Sequence, residues 1–280
     1  MHLLLYKDIV ANAVAEDLGF GDNTTDNIFG AEKGKAEIVA KEAGIVAGLP
    51  VCKEVFAQVD KTVQFYSDLN DGDSFEPGDR LALLTGQIEG ILSAERVALN
   101  FLQRISGIAS ATRLAVEAVQ GTKAVIVDTR KTTPGLRVLE KYAVRMGGGK
   151  NHRFNLSDMV MIKDNHIRGA GSIAEAVARI KLRAGIATKI EVEAATIEDV
   201  EEALYCSVDI IMLDNMSTDK IAEAVKMING RALVEASGGI GYSRLEEVAS
   251  AGVDFISLGY LTHSCRALDL SLNIIEIDGR

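Results

Sequence analysis

KIEVEAATIEDVEEALYCSVDIIMLDN, residues 189 to 215, contains two short apolar runs that each end on acids, separated by a stretch with helical spacing. The pattern predicts a strand, a helix and a second strand. The same unit repeats on both sides. AVIVDT (124–129) precedes a helix from Thr133, and MVMIKD (159–164) precedes one from Ser172. ALVEASG (232–238) leads into another helix, and FISLG (255–259) closes the series. Six such units imply a parallel sheet, because parallel strands need crossover connections. Near-continuous apolar strands between helices suit a barrel or a doubly wound sheet. No G-x-G-x-x-G follows the first strand, which weakens the dinucleotide-binding version.

The strand ends favour the barrel. Asp128, Arg130 and Lys131 follow the first run, Lys163 and Asp164 the second, Glu191 and Glu193 lie in the third, and Asp214, Ser237 and Gly259 close the next three. In a (β/α) barrel these positions converge on one mouth, where the active site forms. The glycines of SGGI and SLGY fall where barrels bind phosphate with backbone amides. Upstream, LLYKDIVANAVAEDL reads as a helix and GDNTTD as a turn and cap. Apolar β-like runs follow in AEIVAKEAGIVAG, TVQFYS and RLALLTGQIEGIL, interrupted by a helix over Leu49 to Val59. A long helix is expected from Ser93, as its N-cap, to about Gln120. The expected architecture is therefore α/β. An N-terminal α+β sandwich domain spans residues 1–110, an incomplete (β/α) barrel spans 111–267, and the tail 268–280 returns to the first domain.

Composition narrows the function. The chain has 280 residues, a formal charge of −10 and a hydrophobic fraction of 48%, ample for a core. Three cysteines without metal spacing read as thiols in a reducing compartment. The absence of a secretory leader and of any long uncharged apolar run leads to the expectation of a soluble, cytoplasmic protein without membrane contacts. Net acidity argues against a nucleic-acid partner. Yet residues 126–168 carry nine Lys or Arg against four acids, a local charge of +5. Such a patch in an acidic chain points to a concave site for a small polyanion.

DTRKTTPGLRVLEKYAVRMGGGKNHR (128–153), MIKDNHI, EVE, IIMLDNM, EASGGI and GVDFISLGYLTHS resemble the quinolinate phosphoribosyltransferase family. GDNTTD and ERVALNFLQRISGIAS fit as well, so the resemblance runs in order over nearly the whole chain. It implies an enzyme of NAD biosynthesis. Such an enzyme makes nicotinate mononucleotide, pyrophosphate and carbon dioxide from quinolinate and phosphoribosyl pyrophosphate, with magnesium as cofactor. It implies a homodimer, or a hexamer built as a trimer of dimers, with shared active sites.

By the same resemblance, Arg130, His152, Arg153 and Lys163 meet quinolinate, and Arg96 reaches in from a neighbouring subunit. Lys131, Glu193 and Asp214 are the catalytic candidates. Lys131, Asp164, Glu193, Asp214, Ser237, Gly238, Gly259 and His263 are expected around phosphoribosyl pyrophosphate. Magnesium enters through the pyrophosphate, with Glu193 and Asp214 as its candidate ligands. The chemistry fits the residue types, since planar guanidinium forks bind carboxylates and fixed carboxylates stabilise a ribose that turns cationic.

Simpler readings stand beside these. Lys163 fits either a Schiff-base lysine of a barrel aldolase or an ion pair with Asp164. His166 reads as structural, and Gly147 to Gly149 as a helix end. Arg137, Lys141 and Arg145 recur with Glu140 at helical spacing and read as one solvated helix face. Of Glu191 and Glu193, one is expected to point into the barrel and the other outward. The rival functions are a phosphoribosyltransferase for another acid, a barrel aldolase and a non-catalytic sugar-phosphate sensor.

Overall fold

The computed structural model describes residues 1–279. The chain divides into two compact units. One comprises Met1–Arg113, Thr132–Gly148 and the residues from Leu261 onward; the other comprises Leu114–Lys131 and Gly149–Tyr260.

The chain opens with α1 (Lys7–Leu18), α2 (Thr25–Ile28), β1 (Lys33–Ala40), β2 (Gly44–Ile45) and α3 (Leu49–Val59). There follow β3 (Gln64–Tyr66), β4 (Ser74–Phe75), β5 (Arg80–Gln87) and α4 (Ile88–Glu117). In β1, Ala36, Ile38 and Ala40 are buried while Lys33 and Lys35 are exposed, the alternation of a one-faced strand. In α3 the buried residues Val51, Cys52, Val55 and Phe56 recur at helical spacing. Asp22 accepts the backbone N–H groups of Thr24 and Thr25, so GDNTTD is the turn and cap the sequence predicts.

The long helix starts earlier than Ser93. β5 passes directly into α4, and the fully buried Ile88 and Ile91 anchor its first turn in the core. IEGIL therefore belongs to the helix and not to a strand. Its apolar run fits either period over so short a stretch.

Beyond α4 come β6 (Val125–Val127), α5 (Arg137–Met146), β7 (Val160–Ile162), α6 (Asp164–Ala170), α7 (Ile173–Lys181) and β8 (Ile190–Ala194). Then α8 (Ile197–Tyr205), β9 (Ile210–Asp214), α9 (Thr218–Ile228), β10 (Leu233–Ser237), α10 (Leu245–Ser250), β11 (Phe255–Ser257), α11 (Tyr260–His263) and β12 (Leu270–Ile277) complete the chain. In the first unit, β12 pairs antiparallel with β1 in a sheet of order β12-β1-β5-β3. Helix α5 belongs to this unit and is no solvated face. Glu140 and Lys141 are each 1% exposed, and Arg104 of α4 meets Glu140 at 2.5 Å. Charge at helical spacing described the helix, but its surroundings buried two of those charges.

The second unit is built on six parallel strands in the order β6-β11-β10-β9-β8-β7. Neighbours in the chain are neighbours in space from β7 to β11, and β11 then pairs with β6. The sheet thus curls into an incomplete (β/α) barrel, open between β6 and β7. A single bridge from Val127 to Lys150 extends the β6 edge toward that opening. No helix among the described residues is long and apolar enough to cross a membrane.

Candidate active site

Side chains two apart on a strand share a face, and that parity builds the site. The inward-facing positions of β8, β9 and β10 carry Glu191 and Glu193, Met212 and Asp214, and Glu235 and Ser237. The upper members of these pairs open onto a cavity of about 560 Å³ at the C-terminal ends of the strands. Glu193, Asp214 and Ser237 line it, together with Arg130 and Lys131 after β6, Arg153 between α5 and β7, and Lys163 after β7. Gly238 completes the rim. Its φ is +84°, and an added Cβ would stand 2.5 Å from the Asn215 side chain, so the turn after β10 excludes any larger residue.

Lys163 forms its ion pair with Glu193 across to β8, not with Asp164. Asp164 is exposed and begins α6, where His166 Nδ1 accepts the Lys163 backbone N–H at 3.0 Å. His166 is thus a structural cap. Asp214 accepts a hydrogen bond from the Asn215 amide at 2.8 Å. Arg153 donates to the Met159 carbonyl at 3.2 Å. Burial and then the nearby Arg130 charge hold Arg153 below the usual guanidinium range. Two cations set side by side in a concavity form a site that an anion stabilises.

Below the mouth lies a second layer. The His152 Nε2 is 3.2 Å from Glu191 Oε2 and 3.1 Å from Glu235 Oε2, and both carboxylates are almost wholly buried. Burial opposes the imidazolium form of His152 and the neighbouring Glu191 and Glu235 carboxylates favour it, raising its pKa, while the Arg153 N–H at 2.7 Å holds Nδ1 as an acceptor without a proton. Burial also lifts the Glu191 carboxyl above its ordinary range, against the pull of His152. Both Glu191 and Glu193 therefore point into the barrel, which corrects the expectation that one faces outward. Asp128, fully buried after β6, accepts the His152 backbone N–H at 2.9 Å and the Asn151 amide at 2.5 Å, so it fixes the loop that carries His152 and Arg153.

The cavity brings together Arg130, Lys131, His152, Arg153, Lys163, Glu193, Asp214, Ser237 and Gly238. It does not gather the other four predicted residues. Arg96 is exposed on α4 in the first unit, and His263 is exposed in α11, where Nδ1 lies 2.6 Å from Ser264 Oγ. Gly259 follows β11, and Asp164 faces solvent. Two residues that matter here received no role from the sequence. Glu235 was legible by parity with Ser237, and Asp128 carried no local signal beyond its place at a strand end.

Comparisons with known proteins agree along the whole chain. Residues 22–106 match the model of the quinolinate phosphoribosyl transferase N-terminal domain, and residues 108–273 match that of its C-terminal domain. A probable nicotinate-nucleotide pyrophosphorylase [carboxylating] of Bacillus subtilis is 47% identical over 98% of this chain and 95% of its own length. A quinolinate phosphoribosyltransferase [decarboxylating] of Nicotiana tabacum is 41% identical over 96% of this chain and 82% of its own. The crystal structure of NadC from Streptococcus pyogenes superposes with a TM-score of 0.96 at 43% identity, covering 99% of both chains. The chain belongs to the quinolinate phosphoribosyl transferase family.

Proposed function

We propose that this chain transfers the phosphoribosyl group of phosphoribosyl pyrophosphate to the ring nitrogen of quinolinate, with loss of carbon dioxide, giving nicotinate mononucleotide and pyrophosphate for NAD synthesis. One observation carries this reading: Arg130, Lys131, Arg153 and Lys163 meet the carboxylates of Glu193, Asp214 and Glu235 in one cavity at the strand ends. Quinolinate brings two carboxylates, and Arg130, Arg153 and Lys163 answer them. Met161 and Met212, also on the wall, give a pyridine ring an apolar surface. Lys131, Ser237 and Gly238 face the phosphates of the second substrate.

The reaction breaks the bond from ribose C1 to the pyrophosphate oxygen while the pyridine nitrogen attacks, and positive charge builds on the ribose. Glu193 and Asp214 are preorganised acceptors for that charge and for the ribose hydroxyls. When the adjacent carboxylate departs as carbon dioxide, the bonding pair stays on the ring carbon, where the neighbouring cationic nitrogen stabilises it, and a proton from water then forms the C–H bond, so no protein nucleophile is needed. The two oxygen donors also suit a magnesium ion, which takes one or two carboxylates and fills its shell with phosphate oxygens and water. Bound there, magnesium supplies charge neutralisation for the departing pyrophosphate. We take Arg96 to complete the site of a neighbouring copy in a homodimer or trimer of dimers. We take the cytoplasm as the compartment, since the cysteines are free thiols and the substrates are small and charged.

Acceptor choice tests the reading. Nicotinate lacks one carboxylate, and the cation left unpaired beside it costs about 3–5 kcal/mol where it is desolvated. Nicotinate mononucleotide should therefore form from quinolinate and hardly at all from nicotinate. Equal turnover of the two acids overturns the dicarboxylate assignment. Borohydride trapping separates out the aldolase alternative, since an active Schiff-base Lys163 would be labelled by a carbonyl substrate.

A further inference from the structure

His152 lies in the cavity wall, yet neither of its ring nitrogens is available to a ligand. The backbone N–H of Arg153 donates to Nδ1 at 2.7 Å, and Nε2 faces Glu191 and Glu235 at 3.2 and 3.1 Å. We propose that His152 is a positioning residue rather than a quinolinate contact: its Nε2–H faces the buried carboxylates of β8 and β10, and its Nδ1 fixes the backbone of Arg153. The inference rests on the proposed function and deepens it, because Arg153 is one of the cations assigned to quinolinate.

The tautomer follows from the partners. A nitrogen that accepts an amide N–H at 2.7 Å carries no proton of its own, so the ring proton sits on Nε2. That point decides against the other use of the same trio. His152, Glu191 and Glu235 offer ligand atoms within 4.8 Å of one another, compact enough for a divalent cation. A metal, however, needs the Nε2 lone pair, and the Arg153 amide leaves that nitrogen protonated. Metal-bound histidines have the opposite pattern, with the second nitrogen donating outward.

The arrangement has a geometric purpose. His152 and Arg153 sit on the loop after the Val127–Lys150 bridge, at the open side of the barrel, and take part in no strand pairing among the described residues. Asp128 grips the His152 amide at 2.9 Å, and the ring ties the next amide to the barrel floor. The Arg153 guanidinium then projects from two fixed backbone points. Reach is what a cation reading a carboxylate on a rigid ring requires.

A double-mutant cycle tests the coupling. His152→Gln keeps an N–H donor for the carboxylates but loses the Nδ1 acceptor, and Arg153→Gln removes the guanidinium. Each alone should raise KM for quinolinate about tenfold or more, with kcat and the KM for phosphoribosyl pyrophosphate changed far less. The double variant should be no worse than Arg153→Gln. His152→Asn, whose side-chain oxygen stands near the Nδ1 position and can accept the Arg153 amide, should recover part of the loss. It also gives an independent readout if the glutamine variant folds poorly. Multiplying effects, or asparagine and glutamine variants equally impaired, would mean that His152 meets quinolinate directly and would overturn the proposal. Zinc or manganese retained stoichiometrically by the wild-type protein in excess magnesium, but not by His152→Gln, measured by metal analysis of the dialysed proteins, would overturn it in favour of a metal. Wild-type protein inactive on quinolinate would bring down the function reading and this inference with it; an active wild type with multiplying effects removes the inference alone.

Discussion

Glu193 holds Lys163 across the mouth of the cavity. In the proposed reaction a quinolinate carboxylate would compete for Lys163, which frees Glu193 for the ribose. Removing the charge while keeping the shape tests this. Glu193→Gln and Asp214→Asn should each lower kcat by about 10²–10³-fold, with KM values comparatively spared, because the interaction strengthens as the ribose becomes cationic. Steady-state kinetics with both substrates check it, and near-normal turnover in both variants would make the acids structural. Which side chains gather at the cavity was largely legible, since residue type and position at a strand end are local facts. What was not legible was partnership. Lys163 pairs across to the next strand instead of with its chain neighbour, and Glu235 and Asp128 act through contacts closed only by the barrel. The error over Glu191 and Glu193 was one of period, since residues two apart share a face.

Helix α5 shows where element-scale reasoning reaches its limit. Its spacing predicted the helix correctly but not what would cover it. Arg104 binds Glu140 through Nε at 3.0 Å and Nη2 at 2.5 Å, and the same Nη2 donates to Thr133 Oγ1 at 2.7 Å. The other Glu140 oxygen accepts the Thr133 amide at 3.0 Å. A carboxylate 1% exposed and satisfied by three donor groups is a built network, and it fixes the TTPG turn that leads into α5. Arg104→Ala leaves that charge buried and unpaired, at a cost of about 3–5 kcal/mol. Thermal unfolding should show Tm lowered by roughly 10 °C. Arg104→Ala combined with Glu140→Ala should regain part of the loss, because no charge is then stranded. An unchanged Tm in Arg104→Ala would show that the network carries no stability. The start of α4 failed for the same reason as α5: IEGIL fits both periods, and only the core shows that Ile88 and Ile91 are helical anchors. The strands of the barrel were easier, because each is a short apolar run with a chemical marker at its end.

Across the molecule, the cations divide unequally. Arg130, Lys131, Arg153 and Lys163 line one cavity, while Arg96 stands exposed on α4 with no ion-pair partner among the described residues. An unpaired arginine on the polar stripe of a long helix, with Asn100 one turn on, is well placed to serve a second copy. In the proposed homodimer, two-fold symmetry would make the exchange mutual, so that each subunit would lend one arginine and receive one. Arg96→Ala and Lys163→Ala should each be inactive alone. Mixed and re-equilibrated, they should regain activity, because a heterodimer holds one site with both defects and one with neither. Statistical mixing puts about half of the dimers in that form, giving roughly a quarter of the wild-type sites. Native mass spectrometry establishes that heterodimers have formed, and the activity assay then decides. A mixture that stays inactive although heterodimers are present would mean that Arg96 acts within its own subunit or not at all, and the shared-site arrangement would be wrong.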